Sequence, residues 1–402
     1  MSIENDFILA NDYEKKYCFN LFNPAEVAFE HGKGVYLYDT EGNKYMDMIG
    51  GIAVNSLGHS NKALTKTIAE QSKKLIHCCN YYVIPQRADL AYRLCKLSFA
   101  DKCFFCNSGA EANEAAIKLA RGYFFYKGSP RRTIITAKMS FHGRTLGTIN
   151  ATGQEKFREP FGPACPGFDY VEFNNIDALK EKIDNNTAAV MLELIQGESG
   201  VNPATAEYVK AVRQLCTSNG ILLIIDEVQT GIGRTGKMFC YEHYGIKPDI
   251  MTLAKGLGGG VPIGAMLSTN EFATGFEVGD HGTTFGGNPL CCACGITVLE
   301  EIESKNILDN VNEVSKAIVD KLNELKVKYP VIRDIRGKGL LIGIEFAELL
   351  SAKEIKHSLL EKGFLVSAIG TSVIRIAPPL IISKSEAMKF ISALENVLKA
   401  KK

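Results

Sequence analysis

The sequence predicts an α/β protein with a large domain, whose mostly parallel sheet is flanked by helices, and a smaller α+β domain. In the middle of the chain, short apolar runs alternate with segments of helical periodicity, as in a parallel sheet with crossover helices. The run ILLIIDEV has an unbroken apolar stretch rich in isoleucine and leucine, which is typical of a strand covered on both faces. The C-terminal third, which begins with long helical segments followed by further strands and helices, predicts a separate, smaller unit.

The elements of the large domain follow from these patterns in order. The predicted strands are CFFC, TIITA, AAVMLELI, ILLII and DIMTLA. A helix is predicted over SGAEANEAAIKLARGYF, where Ser108 and Glu111 have the spacing of a capping box. A second helix, over AEYVKAVRQLCTSNG, is expected to stop at Gly220.

The two ends of the chain complete the domain prediction. Residues 30–50 are predicted to form a hairpin, with turns at Gly34 and at TEGN. After Pro289, helices are predicted over CCACGITVLEEIES and near 311–327, followed by further strands and helices. The predicted division is an N-terminal segment (1–57) packed against the small domain, the large domain (58–289) and the small domain (290–402).

Composition excludes several classes of function. The chain has 402 residues, 46% hydrophobic and 23% charged, with a formal net charge of +1. Without a basic excess, neither nucleic acid nor an anionic membrane is expected as a partner. No apolar run approaches the roughly 20 residues that span a bilayer, and the N-terminal stretch lacks a signal-peptide pattern. The protein is therefore expected to be soluble and cytoplasmic.

Twelve cysteines raise the question of disulfides or a metal site. Cys103 and Cys106 form a C-x-x-C pair, but no second Cys/His pair lies near it and the seven histidines are dispersed. The cysteines are therefore interpreted as buried free thiols, and no metal site is expected. A redox or zinc role is the weaker alternative.

Polar groups follow four of the predicted strands, and such strand ends are where open α/β sheets bind ligands. These groups are Asn107, Ser108, Gly109 and Ala110 after CFFC, Phe141, His142, Gly143 and Arg144 after TIITA, Asp226, Glu227, Val228 and Gln229 after ILLII, and Lys255 after DIMTLA. The first group also opens a helix, and a helix N-terminus suits a phosphate. The strand ends thus offer an anion site, an aromatic ring, a carboxylate and an amine.

These four parts match the needs of pyridoxal 5'-phosphate. This cofactor requires a lysine amine for its Schiff base and an anion site for its phosphate. It also requires a carboxylate on the pyridine nitrogen, so that the ring can accept electrons, and an aromatic ring that holds its plane. Each feature alone is weak, but together they favour this cofactor.

Longer motifs extend the pattern over the chain from about Phe19 to its end. They are NSGAEANEAAIKLAR, SFHGRT, ELIQGESG, IIDEVQTGIGRTGK, LAKGLGGGVPIGA, HGTTFGGNPL and RIAPPLII. With these motifs the sequence resembles the class III aminotransferases of the pyridoxal-phosphate fold type I superfamily, and among them the acetylornithine aminotransferases. The resemblance implies transfer of the δ-amino group of N2-acetyl-L-ornithine to 2-oxoglutarate in arginine biosynthesis.

The resemblance also implies roles in holding the cofactor. Lys255 would form the Schiff base and shuttle the proton, Asp226 would pair with the pyridine nitrogen, and Phe141 would stack on the ring. The phosphate would be held by Gly109 and Ala110, with Ser108 beside them. The remaining cofactor-binding residues implied by the motifs are His142, Glu227, Val228, Gln229 near the ring oxygen, and Thr284 from the other subunit of a homodimer.

Substrate roles are implied in the same way. Arg144 would bind a substrate carboxylate and Arg375 the α-carboxylate of 2-oxoglutarate. Glu198 would neutralise Arg375 while the amino donor occupies the site, and Thr283 would stand beside Thr284 at the subunit interface, where the active sites lie.

The sequence departs from the family pattern at two places. Many relatives have threonine where this chain has Ala110, so the backbone alone would hold the phosphate there. The common GH-x-HP appears as GHSNK, which leaves the shape of that loop open.

Other functions remain open at this point. Ornithine, succinylornithine, succinyldiaminopimelate and 4-aminobutyrate are alternative amino donors within the family. The loop GGIAVNSLGH favours acetylornithine, because ornithine δ-aminotransferases tend to carry a tyrosine there and this chain has Gly51 nearby. From a different class, Gly231–Met238 matches the glycine and lysine spacing of a P-loop. It ends in methionine, and it follows the strand in the wrong order for a nucleotide triphosphatase.

Overall fold

The structure, a computed structural model, describes residues 7–348 and 350–401. Within these residues the strands form one seven-stranded sheet, two four-stranded sheets and one short pair. The strands are β1 (Phe29–Lys33), β2 (Tyr36–Asp39), β3 (Lys44–Asp47), β4 (Lys102–Cys106), β5 (Thr133–Ala137), β6 (Phe168–Val171), β7 (Thr187–Glu193), β8 (Ile195–Gln196), β9 (Asn202–Pro203), β10 (Leu222–Asp226), β11 (Ile250–Leu253), β12 (Gly264–Ser268), β13 (Ile332–Lys338), β14 (Leu341–Phe346), β15 (Phe364–Leu365), β16 (Ser367–Ile369) and β17 (Val373–Ile376).

Helices cover the sheets and connect their strands. They are α1 (Phe7–Tyr17), α2 (Gly50–Ala53), α3 (Lys62–Lys74), α4 (Pro85–Leu97), α5 (Gly109–Tyr126), α6 (Leu146–Ala151), α7 (Glu155–Arg158), α8 (Ile176–Lys182), α9 (Ala206–Asn219), α10 (Asn270–Ala273), α11 (Pro289–Ser304), α12 (Ile307–Lys328), α13 (Ala352–Glu361) and α14 (Lys384–Ala400). Among the described residues, no helix is both long and apolar enough to cross a membrane.

The seven-stranded sheet is the centre of the large domain. Its order is β4-β12-β11-β10-β7-β5-β6, and only β12 runs antiparallel to its neighbours. Strands β5, β7, β10 and β11 therefore all end at the same edge, and Asp226 on β10 is aligned with Glu193 on β7. The prediction of a mostly parallel sheet flanked by helices is confirmed.

Helix α5 shows why the sequence folds as it does beside this sheet. One face of this helix, with Ala112, Ala116, Leu119 and Tyr123, is buried, and α5 packs against β4, β10, β11 and β12. Small alanines on that face allow the helix to approach the strands closely. Helices α4, α8 and α9 pack on β4, β6 and β10 and contribute to a second apolar layer.

Local details differ from the sequence prediction at three places. The AAVMLELI segment forms two strands, because β7 ends at Glu193 and β8 begins at Ile195. The capping box at α5 is half formed: the Ser108 side chain accepts the Glu111 N–H, but the Glu111 carboxylate accepts the N–H of Asn107. The hairpin predicted at 30–50 is a three-stranded meander of β1, β2 and β3, with Gly34 and Gly42 at its turns in left-handed conformations.

The N-terminal and C-terminal parts of the chain are joined by a shared sheet. Strand β15 pairs in parallel with β3. The C-terminal third also forms its own antiparallel sheet, in the order β13-β14-β17-β16, on which α12, α13 and α14 pack. Domain boundaries at residues 57 and 289 stay a prediction.

The close approach of two backbones at Gly122 gives a test of the packing around α5. A Cβ at this position would overlap the carbonyl oxygen of Gly275. Alanine normally stabilises a helix interior by about 1 kcal/mol relative to glycine, but here overpacking should dominate at about 1–3 kcal/mol. We therefore expect Gly122→Ala to lower the thermal denaturation midpoint at fixed protein concentration, whereas Gly162→Ala, where the nearest atom to a Cβ would be 3.9 Å away, should not lower it. A raised midpoint for Gly122→Ala would contradict this packing.

Candidate active site

A cavity of about 480 Å³ opens at the edge where the parallel strands end. It has the size and the mixed apolar and polar lining of a small-molecule site. Of the residues predicted from the sequence, the structure brings ten together in its lining: Ser108, Gly109, Ala110, Phe141, His142, Arg144, Asp226, Val228, Gln229 and Lys255.

Lys255 follows β11 directly and extends a mostly buried amine into this cavity. Its φ is 43°, a left-handed conformation that residues with side chains rarely adopt and that is concentrated at functional sites. Burial lowers the pKa of Lys255, an effect that Glu198 opposes and Arg375 reinforces. A lysine in such surroundings is more readily neutral, and therefore nucleophilic, than a lysine in water.

The carboxylate of Asp226 is held by three donors at the end of β10. Its Oδ1 accepts the N–H of Val228 at 2.9 Å. Its Oδ2 lies 2.8 Å from both His142 Nδ1 and Asn113 Nδ2. The Asn113 amide is oriented in turn, since its Oδ1 accepts the hydroxyl of Thr252 at 2.7 Å. The network fixes a negative charge beside the cavity and leaves it little freedom to rotate.

The start of α5 forms the anion site of the cavity. The first N–H groups of a helix have no acceptor within the helix and lie at its positive end. Gly109 is required for this geometry, because a Cβ there would stand 2.6 Å from the Val228 side chain. The absence of a side chain allows the helix start to approach the end of β10.

Phe141 and Arg144 form another wall, in the loop after β5. The Phe141 ring meets Phe157 edge to face at 6.1 Å, and the Arg144 guanidinium stacks 4.0 Å from the centre of the same Phe157 ring. In the part of the chain that the structure describes, Arg144 has no acidic side chain within 4.0 Å. An exposed arginine that is oriented but not paired suits a carboxylate ligand.

Glu198, Gln229 and Arg375 form a polar cluster behind the cavity. Arg375 Nη1 donates to Glu198 Oε1 at 2.7 Å, to Gln229 Oε1 at 3.1 Å and to the carbonyl oxygen of Gly197 at 3.0 Å. Burial alone would raise the pKa of Glu198, but Arg375 and Lys255 lower it below its ordinary value. Only Gln229 of the three lines the cavity itself.

Besides Glu198 and Arg375, three predicted residues do not line the cavity of this chain. Glu227 points away from it: its carboxylate accepts the N–H groups of Cys240 at 2.6 Å and Tyr241 at 2.8 Å. Successive strand residues face opposite sides, so Asp226 and Glu227 cannot both face the ligand. Thr284 is exposed, and Thr283 accepts a hydrogen bond from the amide of Asn107 at the cavity rim.

Sequence reasoning missed two buried polar residues of the site, Asn113 and Glu193. Both line the cavity, and both contact residues far away in the chain. A weak signal was available for Glu193, since it ends an otherwise apolar strand as Asp226 does. Asn113 lies within an alanine-rich helix, where one polar residue on the buried face is the comparable signal.

Metal and nucleotide alternatives find little support in the geometry. No group of three or more His, Cys, Asp or Glu side chains able to hold a metal occurs among the described residues. All twelve cysteines are free thiols, and six of them are buried. The P-loop-like segment Gly231–Met238 is followed by a five-residue 3-10 helix, and its Arg234 donates to the carbonyl oxygens of Leu340 and Pro378 instead of facing a ligand.

Comparisons with known proteins relate the chain to one family. Residues 21–398 match the family described as aminotransferase class-III. The acetylornithine aminotransferase of Caldanaerobacter subterraneus is 51% identical over 96% of this chain and 98% of its own length.

Two solved structures share the fold. The ornithine aminotransferase of Toxoplasma gondii superposes with a TM-score of 0.95 at 30% identity, covering 98% of this chain and 95% of that one. The acetylornithine aminotransferase of Elizabethkingia anophelis gives a TM-score of 0.88 at 31% identity, covering 98% and 99%.

The surroundings of Lys255 predict its reactivity. Its lowered pKa means that the amine is deprotonated at a lower pH than an ordinary lysine, whose pKa is about 10.4. In cofactor-free protein, we expect trace acetylation to modify Lys255 at a lower pH than the exposed Lys180, as followed by peptide mass spectrometry. Identical pH profiles for the two lysines would show that burial does not activate Lys255.

Proposed function

The chain belongs to the class-III aminotransferases, and we propose that its amino donor is N2-acetyl-L-ornithine and its acceptor 2-oxoglutarate. The products are N-acetylglutamate 5-semialdehyde and L-glutamate, a step of arginine biosynthesis. One observation carries the proposal: the amine of Lys255, the carboxylate of Asp226 and the start of α5 converge on one cavity, with the Glu198–Arg375 pair behind it.

The residues present fit the cofactor on which class-III aminotransferases depend, pyridoxal 5'-phosphate. The start of α5 presents unpaired N–H groups where Gly109 leaves no side chain, which suits the phosphate. Asp226 would pair with the pyridine nitrogen, since its network keeps the carboxylate at the cavity. Phe141 would lie against the ring, and Lys255 would hold the cofactor covalently. The backbone of Ala110 serves where many relatives have threonine.

Each residue has a separate task in the reaction. When bound, the cofactor supplies an electron sink for the pair left behind when a C–H bond of the amine breaks. Lys255 Nζ would remove that proton from the carbon that carries the amine and pass it to the cofactor, and in the second half of the cycle it would carry a proton in the opposite direction. Asp226 supplies the negative charge that favours a protonated pyridine nitrogen, and His142 and Asn113 hold Asp226 in place.

Two arginines recognise carboxylates at different distances from the reacting carbon. Arg144 would bind the far carboxylate of either substrate, and Arg375 the α-carboxylate of 2-oxoglutarate or glutamate. With acetylornithine bound, Arg375 would face methylene groups as an unpaired buried charge, which is costly. Its side chain is only 3% exposed and is paired with Glu198, which supports a role of Glu198 as a counter-ion that leaves when glutamate binds.

The charges of the cavity favour a blocked α-nitrogen over a free one. Free ornithine would bring an α-ammonium group into the site, and this charge would need a carboxylate partner. The carboxylates at or beside the cavity belong to Asp226, Glu193 and Glu198. Each of them already accepts hydrogen bonds from donors within the chain. An acetylated nitrogen carries no charge. Val54, which follows α2, gives the cavity an apolar wall against which an acetyl group can lie.

We infer that the enzyme acts as a homodimer. Large apolar side chains are exposed together on the segment 75–83 and at Phe285, which is more apolar surface than a monomer normally leaves uncovered. This surface includes the neighbourhood of Thr283, because Asn80 donates to its carbonyl oxygen at 2.7 Å. Thr284 is exposed there and would contribute to the partner's active site. The cytoplasmic location expected from the sequence stays part of this proposal.

The choice of amino donor is tested with a panel of amines. With 2-oxoglutarate as acceptor, we expect kcat/KM for N2-acetylornithine to exceed that for ornithine, succinylornithine, succinyldiaminopimelate and 4-aminobutyrate by at least about 10-fold. If the enzyme is inactive with acetylornithine but turns over another donor, that other compound is the amino donor and the proposal is wrong. Loss of all turnover in Lys255→Ala is the control for background amine transfer.

The two arginines are tested by measuring each half-reaction separately in single turnovers. We expect Glu198→Gln to slow the acetylornithine half-reaction more than the glutamate half-reaction, because a neutral amide compensates Arg375 poorly. Arg375→Ala should do the reverse, and Arg144→Ala should slow both. Equal damage to both halves by Glu198→Gln and Arg375→Ala would mean that this pair only shapes the site.

A further inference from the structure

Glu193 is a buried carboxyl group at the cavity that the reaction proposed above does not use. It ends β7, between the ends of β5 and β10 in the sheet, and its side chain lines the cavity. Burial raises the pKa of Glu193 to about 7, partly offset by His142 and reinforced by Asp226. Burying a carboxylate is costly, and carboxyl groups with a perturbed pKa are concentrated at functional sites.

The contacts of Glu193 join two separate loops of the site. Its Oε2 accepts the N–H of Phe141 at 2.8 Å, in the loop after β5. Its Oε1 accepts the N–H of Gly197 at 3.3 Å, in the loop after β8. The first loop carries the aromatic wall, and the residue after Gly197 is Glu198, the partner of Arg375.

We propose that Glu193 is a positioning residue that ties the Phe141 wall to the loop of Glu198, so that one carboxylate sets both at the geometry that the reaction needs. This inference rests on the proposed function, because it assigns Glu193 a role in the same site. Each carboxylate oxygen of Glu193 accepts the N–H of one loop. Among the described hydrogen bonds, neither the Phe141 N–H nor the Gly197 N–H has another acceptor.

Glutamine separates the positioning role from simple space filling. It has nearly the same size as glutamate, but only its amide oxygen can accept a hydrogen bond, and its NH2 group would oppose the second N–H. One of the two loops must therefore lose its contact. Because the pKa of Glu193 is near 7, the fold tolerates a neutral group here, and Glu193→Gln should remain folded.

Asp249→Asn provides a matched control. Asp249 is also a largely buried carboxylate that accepts a backbone N–H, that of Leu223 at 2.7 Å, and it pairs with Arg213. It precedes β11, at the edge of the same sheet opposite the cavity. Loss of the Asp249 carboxylate should lower thermal stability without changing the active-site cavity.

The experiment compares both variants with the unmodified protein after loading with pyridoxal phosphate. For Glu193→Gln we expect the visible circular dichroism per bound cofactor to change, and the dissociation constant of the cofactor to rise about 10-fold, as for loss of a charge-assisted hydrogen bond. The acetylornithine half-reaction should also slow more than the glutamate half-reaction. Asp249→Asn should leave all three unchanged while lowering the denaturation midpoint.

Two results would overturn the proposal. The first is a Glu193→Gln protein whose cofactor dichroism and dissociation constant match those of Asp249→Asn. The second needs no variant: hydrogen exchange of the Phe141 and Gly197 amides in the unmodified protein as fast as that of exposed amides. Because the cofactor measurements do not depend on the amino donor, failure of acetylornithine as a substrate would overturn the proposed function and leave this inference testable.

Discussion

Charged groups buried together at one edge of a parallel sheet are the constraint on which the rest of this structure depends. Lys255, Asp226, Glu193 and Arg375 all lie there out of bulk water, where an unpaired charge would cost several kcal/mol. The fold meets this cost with backbone N–H groups and paired side chains, which the common strand edge and the C-terminal sheet bring together. The low polarity that makes the charges costly also lowers the pKa of Lys255 and makes its amine reactive.

The parts of the site that the sequence predicted share a local signal. Lys255 and Asp226 each stand directly after an apolar run, so their position at the strand ends follows from the chain alone. The helix start at Ser108 is marked by its own capping residue, and the strands TIITA and ILLII correspond closely to β5 and β10. The alternation of side chains along a strand could also have distinguished Asp226 from Glu227. Consecutive side chains face opposite sides, so only one of the two can meet a ligand at the cavity.

What the sequence could not predict depends on contacts between distant residues. Asn113 reaches Asp226 across 113 positions and Glu193 reaches Phe141 across 52, and no local pattern encodes either distance. The Glu111 carboxylate is a local case: it accepts the N–H of Asn107, four positions away, instead of completing the capping box. For Asn113 and Glu193, the assembled sheet and helices decide which polar atoms meet. Residues of this kind hold other residues in place, and they become visible only once the elements are assembled.

The position of Arg375 shows how the two parts of the fold act on one site. Arg375 lies on β17, opposite Gly343 on β14, and a Cβ at Gly343 would come within 3.0 Å of the carbonyl oxygen of Gly200. The C-terminal sheet therefore packs directly on the turn that follows Glu198. Arg336 strengthens this contact by donating to the same carbonyl oxygen at 2.9 Å. A second tie is Arg234, whose guanidinium binds the carbonyl oxygens of Leu340 and Pro378 at the ends of β14 and β17. Because backbone carbonyl oxygens accept these contacts, the packing of the two parts sets the separation of the Glu198 and Arg375 backbones, and rotation of the side chains is what can break the ion pair.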